Sequence, residues 1–302
     1  MNKALLIGYG SIGRRHTKIL QTEFNFQVDI VTKQCVENHT CFQSLQDVFD
    51  ISSYDYYLIT SPTNLHYEQL VYLNIRLCGK KIFVEKPIFD TFHIMDLQNF
   101  IFVGYDLRYS FVLDELKKNI LGESVIFLQA YVGQYLPTWR KNIDYKNSYS
   151  ASKTRGGGVL LDLSHELDYI QYLCGNIIDI RSYNDKISDL EIDSDDIFTA
   201  IAKTRTGTII NVTMDYISKQ PMRYCLLHLK NKTIYADFIK NFIQITNSNR
   251  MEYSIYCEKE MENYSYYNMH YDILYSHKLE KKACNYNEAI SVVQLIDNIR
   301  KG

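Results

Sequence analysis

Segments that would mark a specialised class of protein are missing from this sequence. No stretch of the 302 residues approaches the roughly 20 apolar residues of a membrane-spanning helix. Basic and acidic residues nearly balance, 33 against 35, without a long run of one sign, so we expect no nucleic-acid partner and no membrane partner. Residues 1–7 form only a short apolar run before Gly8, and we expect no targeting segment.

Paired cysteines are also missing. The seven cysteines are scattered, none stands in a Cys-x-x-Cys pair, and their odd number argues against a complete set of disulfides. We therefore expect a cytoplasmic protein whose cysteines serve as small buried apolar groups. The sequence has neither internal repeats nor a low-complexity linker, and its length suits two domains.

The first hundred residues alternate short apolar runs with helical segments. Strands that alternate with helices are typical of a parallel sheet in an α/β fold. Strands are predicted at residues 3–7, 26–32, 54–60, 81–85 and 101–104, and helical segments at 12–22, 45–49 and 66–77.

The pattern changes after residue 105, which predicts two domains, 1–104 and 105–302. In the second domain a long strand is followed by an irregular polar and aromatic region, one helix, a meander of antiparallel strands and a final helix. These segments are predicted at 124–132, 134–155, 159–173, 179–255 and 287–300, respectively.

Glycines follow the first predicted strand in the pattern G-x-G-x-x-G. The pattern is informative here because it lies between a strand and a helix. Gly8 permits a tight turn, Gly10 lets a pyrophosphate approach the backbone, and Gly13 lets the helix pack closely on the strand. Free N–H groups at the helix start, at Ser11 and Ile12, would face the phosphates. A glycine turn without a ligand is the alternative to the Rossmann domain that we predict.

The end of the second strand bears on the choice between NAD and NADP. Domains specific for NAD usually place an acidic residue there for the ribose 2′-hydroxyl. This strand ends in Thr32-Lys33, and Asp29 lies in its middle. Lys33 could meet a 2′-phosphate, which favours NADP slightly, although a solvent-exposed lysine is an equally plain interpretation. The sequence does not decide between NAD and NADP.

Three further motifs follow along the chain: Thr60-Ser61-Pro62 with His66, Glu85-Lys86-Pro87, and GGGVLLDLSHELD from Gly156 to Asp168. Together with the segment from Gly8 to His16, their order and spacing resemble the Gfo/Idh/MocA family of glucose–fructose oxidoreductase and inositol dehydrogenase relatives over nearly the whole chain. The resemblance implies an N-terminal Rossmann domain and a C-terminal α+β domain with a large, mostly antiparallel open sheet. Its members oxidise or reduce sugars, inositols and sugar nucleotides.

The resemblance implies that Lys86 is catalytic and that Thr60, Ser61, Pro62, His66 and Glu85 belong to the cofactor site. A lysine at the carboxyl end of a parallel strand lies where such sheets bind ligands. Beside a nicotinamide cation the ammonium form is disfavoured, which suits acid–base work. A surface charge is the alternative interpretation. As in relatives, a cis bond is expected before Pro87.

Asp162 and His165 are both candidates for the second catalytic position. Asp162 and His165 lie three apart and would share one face of a helix. The family pattern usually places the histidine four residues after the aspartate, but His165 keeps its expected spacing to Asp168. We expect His165 to exchange a proton with the substrate and Asp162 to orient a ring or bind a sugar hydroxyl. Three ligands on one short helix make a metal site an unfavourable interpretation, so no metal is predicted.

Substrate contacts are predicted in two segments. Arg108 would contact substrate or hold the domain interface, and the aromatic and basic residues Trp139, Arg140 and Tyr149 could stack on and clamp a substrate, or pack on the sheet. The resemblance suggests an activated or acidic sugar of surface-polysaccharide metabolism, and a homodimer or homotetramer. Two alternatives are a dinucleotide-binding regulator without catalysis and an enzyme that uses its cofactor only transiently.

Overall fold

The computed structural model describes residues 2–140, 144–257, 262–276 and 282–301. The chain divides into two compact units, the first formed by Met1–Asp106 and Asn263–Val293, the second by Leu107–Glu262 and Gln294–Gly302. The first boundary thus lies two residues beyond the predicted one at 104/105. The assignment of Asn263–Val293 to the first unit has no counterpart in the two-segment division predicted from the sequence.

The described residues form fifteen strands and eight α-helices, joined in part by short 3₁₀ turns. The strands are β1 Lys3–Ile7, β2 Gln27–Val31, β3 Cys41–Phe42, β4 Tyr56–Ile59, β5 Lys81–Val84, β6 Phe100–Val103, β7 Val125–Gly133, β8 Ile177–Asp185, β9 Ile197–Thr204, β10 Ile209–Asp215, β11 Met222–Leu229, β12 Lys232–Asp237, β13 Phe242–Asn247, β14 Glu252–Tyr256 and β15 Cys284–Asn285. The helices are α1 Ser11–Phe24, α2 His66–Asn74, α3 Phe111–Asn119, α4 Leu136–Trp139, α5 Val159–Asp162, α6 His165–Cys174, α7 Tyr264–Tyr275 and α8 Tyr286–Lys301.

The first unit is built on a seven-stranded sheet in the order β15-β6-β5-β4-β1-β2-β3. All neighbours run parallel except β15, which pairs antiparallel with β6. Continuous apolar runs such as Ala4–Ile7 form its central strands because both faces of a parallel sheet are covered. The parallel strands expected in the first hundred residues are all present.

The second unit contains an eight-stranded sheet in the order β14-β13-β12-β11-β7-β10-β9-β8. Its neighbours run antiparallel except β7 and β10, which are parallel. The hairpins β9–β10 and β11–β12 are present as expected, but the long strand β7 lies between them, so the strands do not form the continuous meander that was predicted. The predicted α/β fold with a mostly antiparallel second sheet is confirmed.

The helix predicted at 159–173 is divided in two. Helix α5 ends at Asp162, and α6 begins at His165 after Leu163 leaves helical backbone values, with φ −100° and ψ 21°. The N–H of Glu166 bonds the carbonyl of Leu163, a one-turn contact of the tighter 3₁₀ type. Asp162 and His165 therefore do not share the face of one continuous helix. Within the described ranges, no helix combines the length and apolar character needed to span a bilayer.

Candidate active site

The glycine turn of the first unit leaves space at one glycine and none at the other two. Gly8 has φ +92°, and a Cβ there would lie 2.6 Å from the main-chain nitrogen of Ser61. A Cβ on Gly13 would lie 2.3 Å from the carbonyl oxygen of Gly8, whereas one on Gly10 would meet no heavy atom of the described chain within 4 Å. Gly8 and Gly13 thus allow close packing, and Gly10 faces the open side where a pyrophosphate could approach.

The N-terminus of α1 is suited to an anion. Gly10 occupies the N-cap, none of the described side chains caps the helix, and its first turn holds no acidic residue. The free N–H groups and the positive end of the helix dipole therefore favour a negative ligand. Arg14 lies over the ring of Tyr9 at 5.6 Å and Arg15 over that of Tyr266 at 5.0 Å, which adds positive charge beside the helix start.

The tip of β2 carries no carboxylate directed at a ribose. Asp29 accepts a hydrogen bond from the hydroxyl of Tyr54 at 2.9 Å, so its carboxylate is held in the middle of the strand. Thr32 is buried and accepts the N–H of Gln34 at 3.2 Å, while Lys33 is exposed. This arrangement is compatible with the slight preference for NADP that the sequence suggests.

The substitution Lys33→Asp is expected to lower the affinity for NADPH relative to NADH by about tenfold or more, because a carboxylate repels a 2′-phosphate and can bond a 2′-hydroxyl. Fluorescence titration with both reduced dinucleotides measures the ratio. The substitution Lys18→Asp on the exposed side of α1 makes the same charge change away from the strand tip. An unchanged ratio in Lys33→Asp would show that Lys33 takes no part in the choice.

The tips of β4 and β5 are tied to the glycine turn and to each other. The hydroxyl of Thr60 donates to the carbonyl of Gly8 at 2.6 Å. The buried ring of His66 lies 2.9 Å from the carbonyl of Ser61 and 3.1 Å from that of Pro87. Burial lowers the pKa of His66, and a neutral ring donates to only one of the two carbonyls at a time. Pro62 precedes a 3₁₀ turn over Thr63–Leu65.

Glu85 and Lys86 stand at the end of β5. The Lys86–Pro87 bond is cis, as expected. Glu85 is buried, and its carboxylate contacts Nε2 of His16 at 2.8 Å and the main-chain N–H of Lys86 at 3.1 Å. Burial raises the pKa of Glu85 to about 7, and the charge of Lys86 opposes this rise. Lys86 itself is partly exposed.

Two further residues, His270 and Tyr56, are linked to Glu85 through His16 and were not predicted from the sequence. Nδ1 of His16 lies 2.8 Å from Nε2 of His270 on α7, and Nδ1 of His270 lies 3.1 Å from the hydroxyl of Tyr56 on β4. Burial lowers the pKa of His16 to about 3 and that of His270 well below its ordinary value. Nothing in the local pattern around His270 or Tyr56 indicates this contact, which joins residues more than 200 positions apart.

The free energy of unfolding is expected to fall by about 2 kcal/mol between about pH 7 and pH 5.5. In the unfolded chain, His16, His66 and His270 take up protons below their ordinary pKa of 6.5. In the folded protein burial keeps their pKa values lower, so acidification lowers the free energy of unfolding. Glu85 acts in the opposite direction, because its folded pKa of about 7 exceeds 4.5, and three histidines outweigh it. Urea unfolding at both pH values measures the difference.

The substitution His16→Gln removes one of the titrating rings and should reduce this fall by about 1 kcal/mol. A stability that is constant or rises on acidification would contradict the neutral state of the buried histidines.

Asp162 is the centre of a hydrogen-bonded cluster in the second unit. It is 5% exposed, and its carboxylate accepts hydrogen bonds from the hydroxyls of Tyr149, Ser150 and Tyr216, the last two at 2.5 and 2.9 Å. Nη2 of Arg140 lies 3.7 Å away as an ion-pair partner. The carboxylate is therefore held in one orientation by its neighbours.

Arg140 lies between two aromatic rings. Its guanidinium is 4.8 Å from the ring centre of Trp139 and 4.6 Å from that of Tyr149, and it donates to the hydroxyls of Ser150 and Tyr149 at 2.9 and 3.0 Å. The structure thus brings together the predicted residues Asp162, Trp139, Arg140 and Tyr149. Ser150 and Tyr216 were missed: Ser150 adjoins Tyr149 in the chain, but the position of Tyr216 just after β10 gave no signal.

His165 is the first residue of α6 and is nearly buried, at 9% exposure. Three residues further, Asp168 forms a bidentate pair with Arg108, with N···O distances of 2.7 and 3.0 Å. Both partners are 2% exposed, and Arg108 also lies over the ring of Tyr172 at 4.6 Å. We propose that Arg108 holds α6, and with it His165, in place through Asp168.

Sequence models of one protein family match both parts of the chain. The model described as an oxidoreductase family with an NAD-binding Rossmann fold matches residues 2–100. The model described as the GFO/IDH/MocA C-terminal domain matches residues 116–235. The curated proteins searched contain no match to the chain.

Solved structures share the fold at low sequence identity. The UDP-N-acetylglucosamine 3-dehydrogenase GnnA from Acidithiobacillus ferrooxidans is 17% identical with a TM-score of 0.77, and the match covers 99% of this chain and 96% of that chain. A levoglucosan dehydrogenase in complex with NADH is 16% identical with a TM-score of 0.83, covering 99% and 95%. The WlbA dehydrogenase from Bordetella pertussis, in complex with NADH and UDP-GlcNAcA, is 16% identical with a TM-score of 0.77, covering 99% and 95%.

Proposed function

The chain belongs to the Gfo/Idh/MocA family of oxidoreductases, and from this membership we propose that it transfers a hydride between a nicotinamide dinucleotide and a hydroxyl or keto carbon of a sugar-type substrate. One observation carries the proposal most. Lys86 follows the buried Glu85 at the carboxyl end of β5, in the same parallel sheet whose first strand leads into the glycine turn. Ligands of parallel sheets bind at this edge.

The residues of the first unit fit a nicotinamide dinucleotide. The N–H groups of Ser11 and Ile12, with the open side of Gly10, would hold the pyrophosphate. Thr32 and Lys33 would adjoin the adenosine ribose, and the segment from Glu85 to Pro87 would adjoin the nicotinamide end. When bound, the dinucleotide supplies the hydride acceptor or donor.

Lys86 and His165 would take up or release the substrate hydroxyl proton. Acid–base groups of this kind contribute roughly 10²–10⁴-fold in rate, and positioning of the substrate contributes more. The cluster around Asp162 would bind sugar hydroxyls through groups already held in place by one another. We propose the carboxylate as an orienting group and His165 as the proton-exchanging one, because Asp162 already accepts three hydroxyl hydrogen bonds.

An activated or acidic sugar suits the second unit best. Arg140 provides a cation held between Trp139 and Tyr149, and such a combination of cation and rings binds phosphates, carboxylates and flat ring systems. GnnA is named for its action on UDP-N-acetylglucosamine, and WlbA was solved with UDP-GlcNAcA. From the family resemblance we further propose a role in the cytoplasmic metabolism of surface polysaccharides, as a homodimer or homotetramer.

Spectrophotometry of the nicotinamide ring tests the proposed function. The purified protein is mixed with oxidised or reduced NAD and NADP and with UDP-linked N-acetylhexosamines, their uronic acids and the free sugars. We expect net oxidation or reduction with at least one nucleotide sugar and none with the free sugars. Tight dinucleotide binding without turnover of any compound would instead favour a regulator, and substrate conversion without net change in the dinucleotide would indicate transient use of the cofactor.

A further inference from the structure

Four buried side chains of the first unit form a continuous hydrogen-bonded line, here called the Tyr56–Glu85 chain. It runs from the hydroxyl of Tyr56 to His270 at 3.1 Å, from His270 to His16 at 2.8 Å, and from His16 to the carboxylate of Glu85 at 2.8 Å. Tyr56, His16 and His270 are 0% exposed and Glu85 is 9% exposed. Three separate elements, β4, α1 and α7, thus contribute to one polar line that ends beside Lys86.

Simple hydrogen-bond rules set the direction of this line. Above about pH 7, where Glu85 is ionised, its carboxylate only accepts, so Nε2 of His16 carries the proton that faces it. Burial keeps the ring of His16 neutral, so its Nδ1 accepts from Nε2–H of His270. Nδ1 of His270 then accepts from the hydroxyl of Tyr56. Every donor points toward Glu85, and each hydrogen bond strengthens the next through polarisation.

We propose that Tyr56, His270 and His16 are positioning residues for Lys86, acting through Glu85. The inference rests on the proposed function, because Lys86 is the group that they would serve. Their donors orient the Glu85 carboxylate, whose second oxygen accepts the main-chain N–H of Lys86 at 3.1 Å. The carboxylate of Glu85 thereby holds the backbone at Lys86.

The surroundings of Glu85 leave the carboxylate little freedom. A Cβ added at Gly104 would lie 3.1 Å from one of its carboxylate oxygens, so the side chain lies directly over the end of β6. The charged and titratable groups that face it are Lys86 beside it, His66 of α2, Arg15 and His16 of α1, and Tyr266 of α7 with His270 behind. With so few positions open to it, the carboxylate transmits its orientation to the Lys86 amide.

The Tyr56–Glu85 chain also gives a function to the segment Asn263–Val293, which belongs to the first unit. Helix α7 lies in Asn263–Val293, and its buried His270 is the middle member of the line. A residue that only filled this space would need no hydrogen-bonding groups. A positioning role needs one donor and one acceptor at that place, which separates the two interpretations experimentally.

Nuclear magnetic resonance of the histidine rings tests the chain without any substrate. In protein labelled with ¹⁵N-histidine at about pH 9, where Glu85 is ionised, long-range ¹H–¹⁵N spectra distinguish the two neutral tautomers. We expect Nε2–H tautomers for both His16 and His270. An Nδ1–H tautomer or an imidazolium at either ring would overturn the directed chain.

The main-chain amide of Lys86 reports on positioning in the same way. Its resonance should titrate with Glu85, with a midpoint near pH 7 in the unaltered protein. The substitution His16→Leu removes the donor to the carboxylate and should move the midpoint to higher pH. The substitution His16→Gln retains a donor and an acceptor, so its midpoint should lie close to that of the unaltered protein. Identical midpoints in the unaltered protein and His16→Leu would refute the proposal.

Kinetics supply the functional readout. The substitution Tyr56→Phe keeps the buried volume and removes only the first donor, so we expect kcat to fall by about three- to tenfold with dinucleotide affinity and KM nearly unchanged. The acidic limb of the kcat profile should move to higher pH. Tyr57→Phe is the matched control, because Tyr57 is equally buried on β4 but donates to the carbonyls of Ile51 and Tyr54.

The possible failures are distinguishable. Equal effects of Tyr56→Phe and Tyr57→Phe on kcat and its pH profile would overturn the positioning role while leaving the proposed function intact. If the unaltered protein turns over no compound, the proposed function fails, and the tautomer and amide titrations still decide for or against the chain. If His16→Leu does not fold, Tyr56→Phe carries both the kinetic and the amide measurement.

Discussion

Replacing Lys86 with alanine is expected to abolish turnover while dinucleotide affinity stays within about threefold of its normal value. The amine is the group at this strand end that can exchange the substrate hydroxyl proton, and loss of such a group costs roughly 10²–10⁴-fold or more. The anion-binding N–H groups lie at the start of α1, after another strand, and are untouched. Rapid-mixing absorbance for turnover and fluorescence titration for binding measure the two quantities separately.

A matched lysine on the same strand gives the control for this prediction. Lys81 stands at the opposite end of β5, and its amine donates to the carbonyl of Leu274 at 2.7 Å. Lys81→Ala loses that hydrogen bond and some stability, about 1 kcal/mol, but should retain turnover. Near-normal turnover by Lys86→Ala would show that the catalytic assignment is wrong.

Replacing Asp162 with asparagine is expected to lower kcat/KM by about 100-fold or more and to lower the free energy of unfolding by about 2 kcal/mol. The carboxylate accepts three hydroxyl hydrogen bonds and pairs with Arg140. An amide turns one accepting oxygen into a donor and removes the charge that balances the guanidinium. Tyr149 and Arg140 would then both lose their fixed orientation. Steady-state kinetics and urea unfolding of the same variant measure the two losses.

An aspartate in the same stretch of chain serves as the control. Asp144 is exposed and caps the 3₁₀ turn at Tyr145–Asn147 by accepting the N–H of Lys146. Asp144→Asn makes the same chemical change and should alter kcat/KM by less than about threefold. If Asp162→Asn lost stability but kept its kcat/KM, the cluster would be structural and not part of the substrate site.

The local sequence pattern predicted most of the secondary structure around the proposed cofactor site. The run before Gly8, the glycine spacing and the helix after it all depend on residues within a few positions of one another. The same holds for the strand that ends at Glu85 and Lys86. Such short-range relations are visible in periodicity and turn chemistry, which is why strand, turn and helix were predicted close to their observed bounds.

The parts that the sequence did not predict depend on distant contacts. His270 reaches His16 across 254 positions, and Tyr216 reaches Asp162 across 54. Neither pairing leaves a periodic signal. The break at Leu163 was missed because the apolar spacing continues through it, although the backbone leaves the helix there. Tertiary packing, and not local propensity, decides these features.

A crystal structure of the protein with its dinucleotide bound is the most direct test of the central claim. We expect the pyrophosphate on the N–H groups at the start of α1 and the nicotinamide ring beside the Glu85–Pro87 segment, with the amine of Lys86 facing the ring. A nicotinamide bound elsewhere, or a Lys86 amine directed into bulk solvent away from it, would contradict the account.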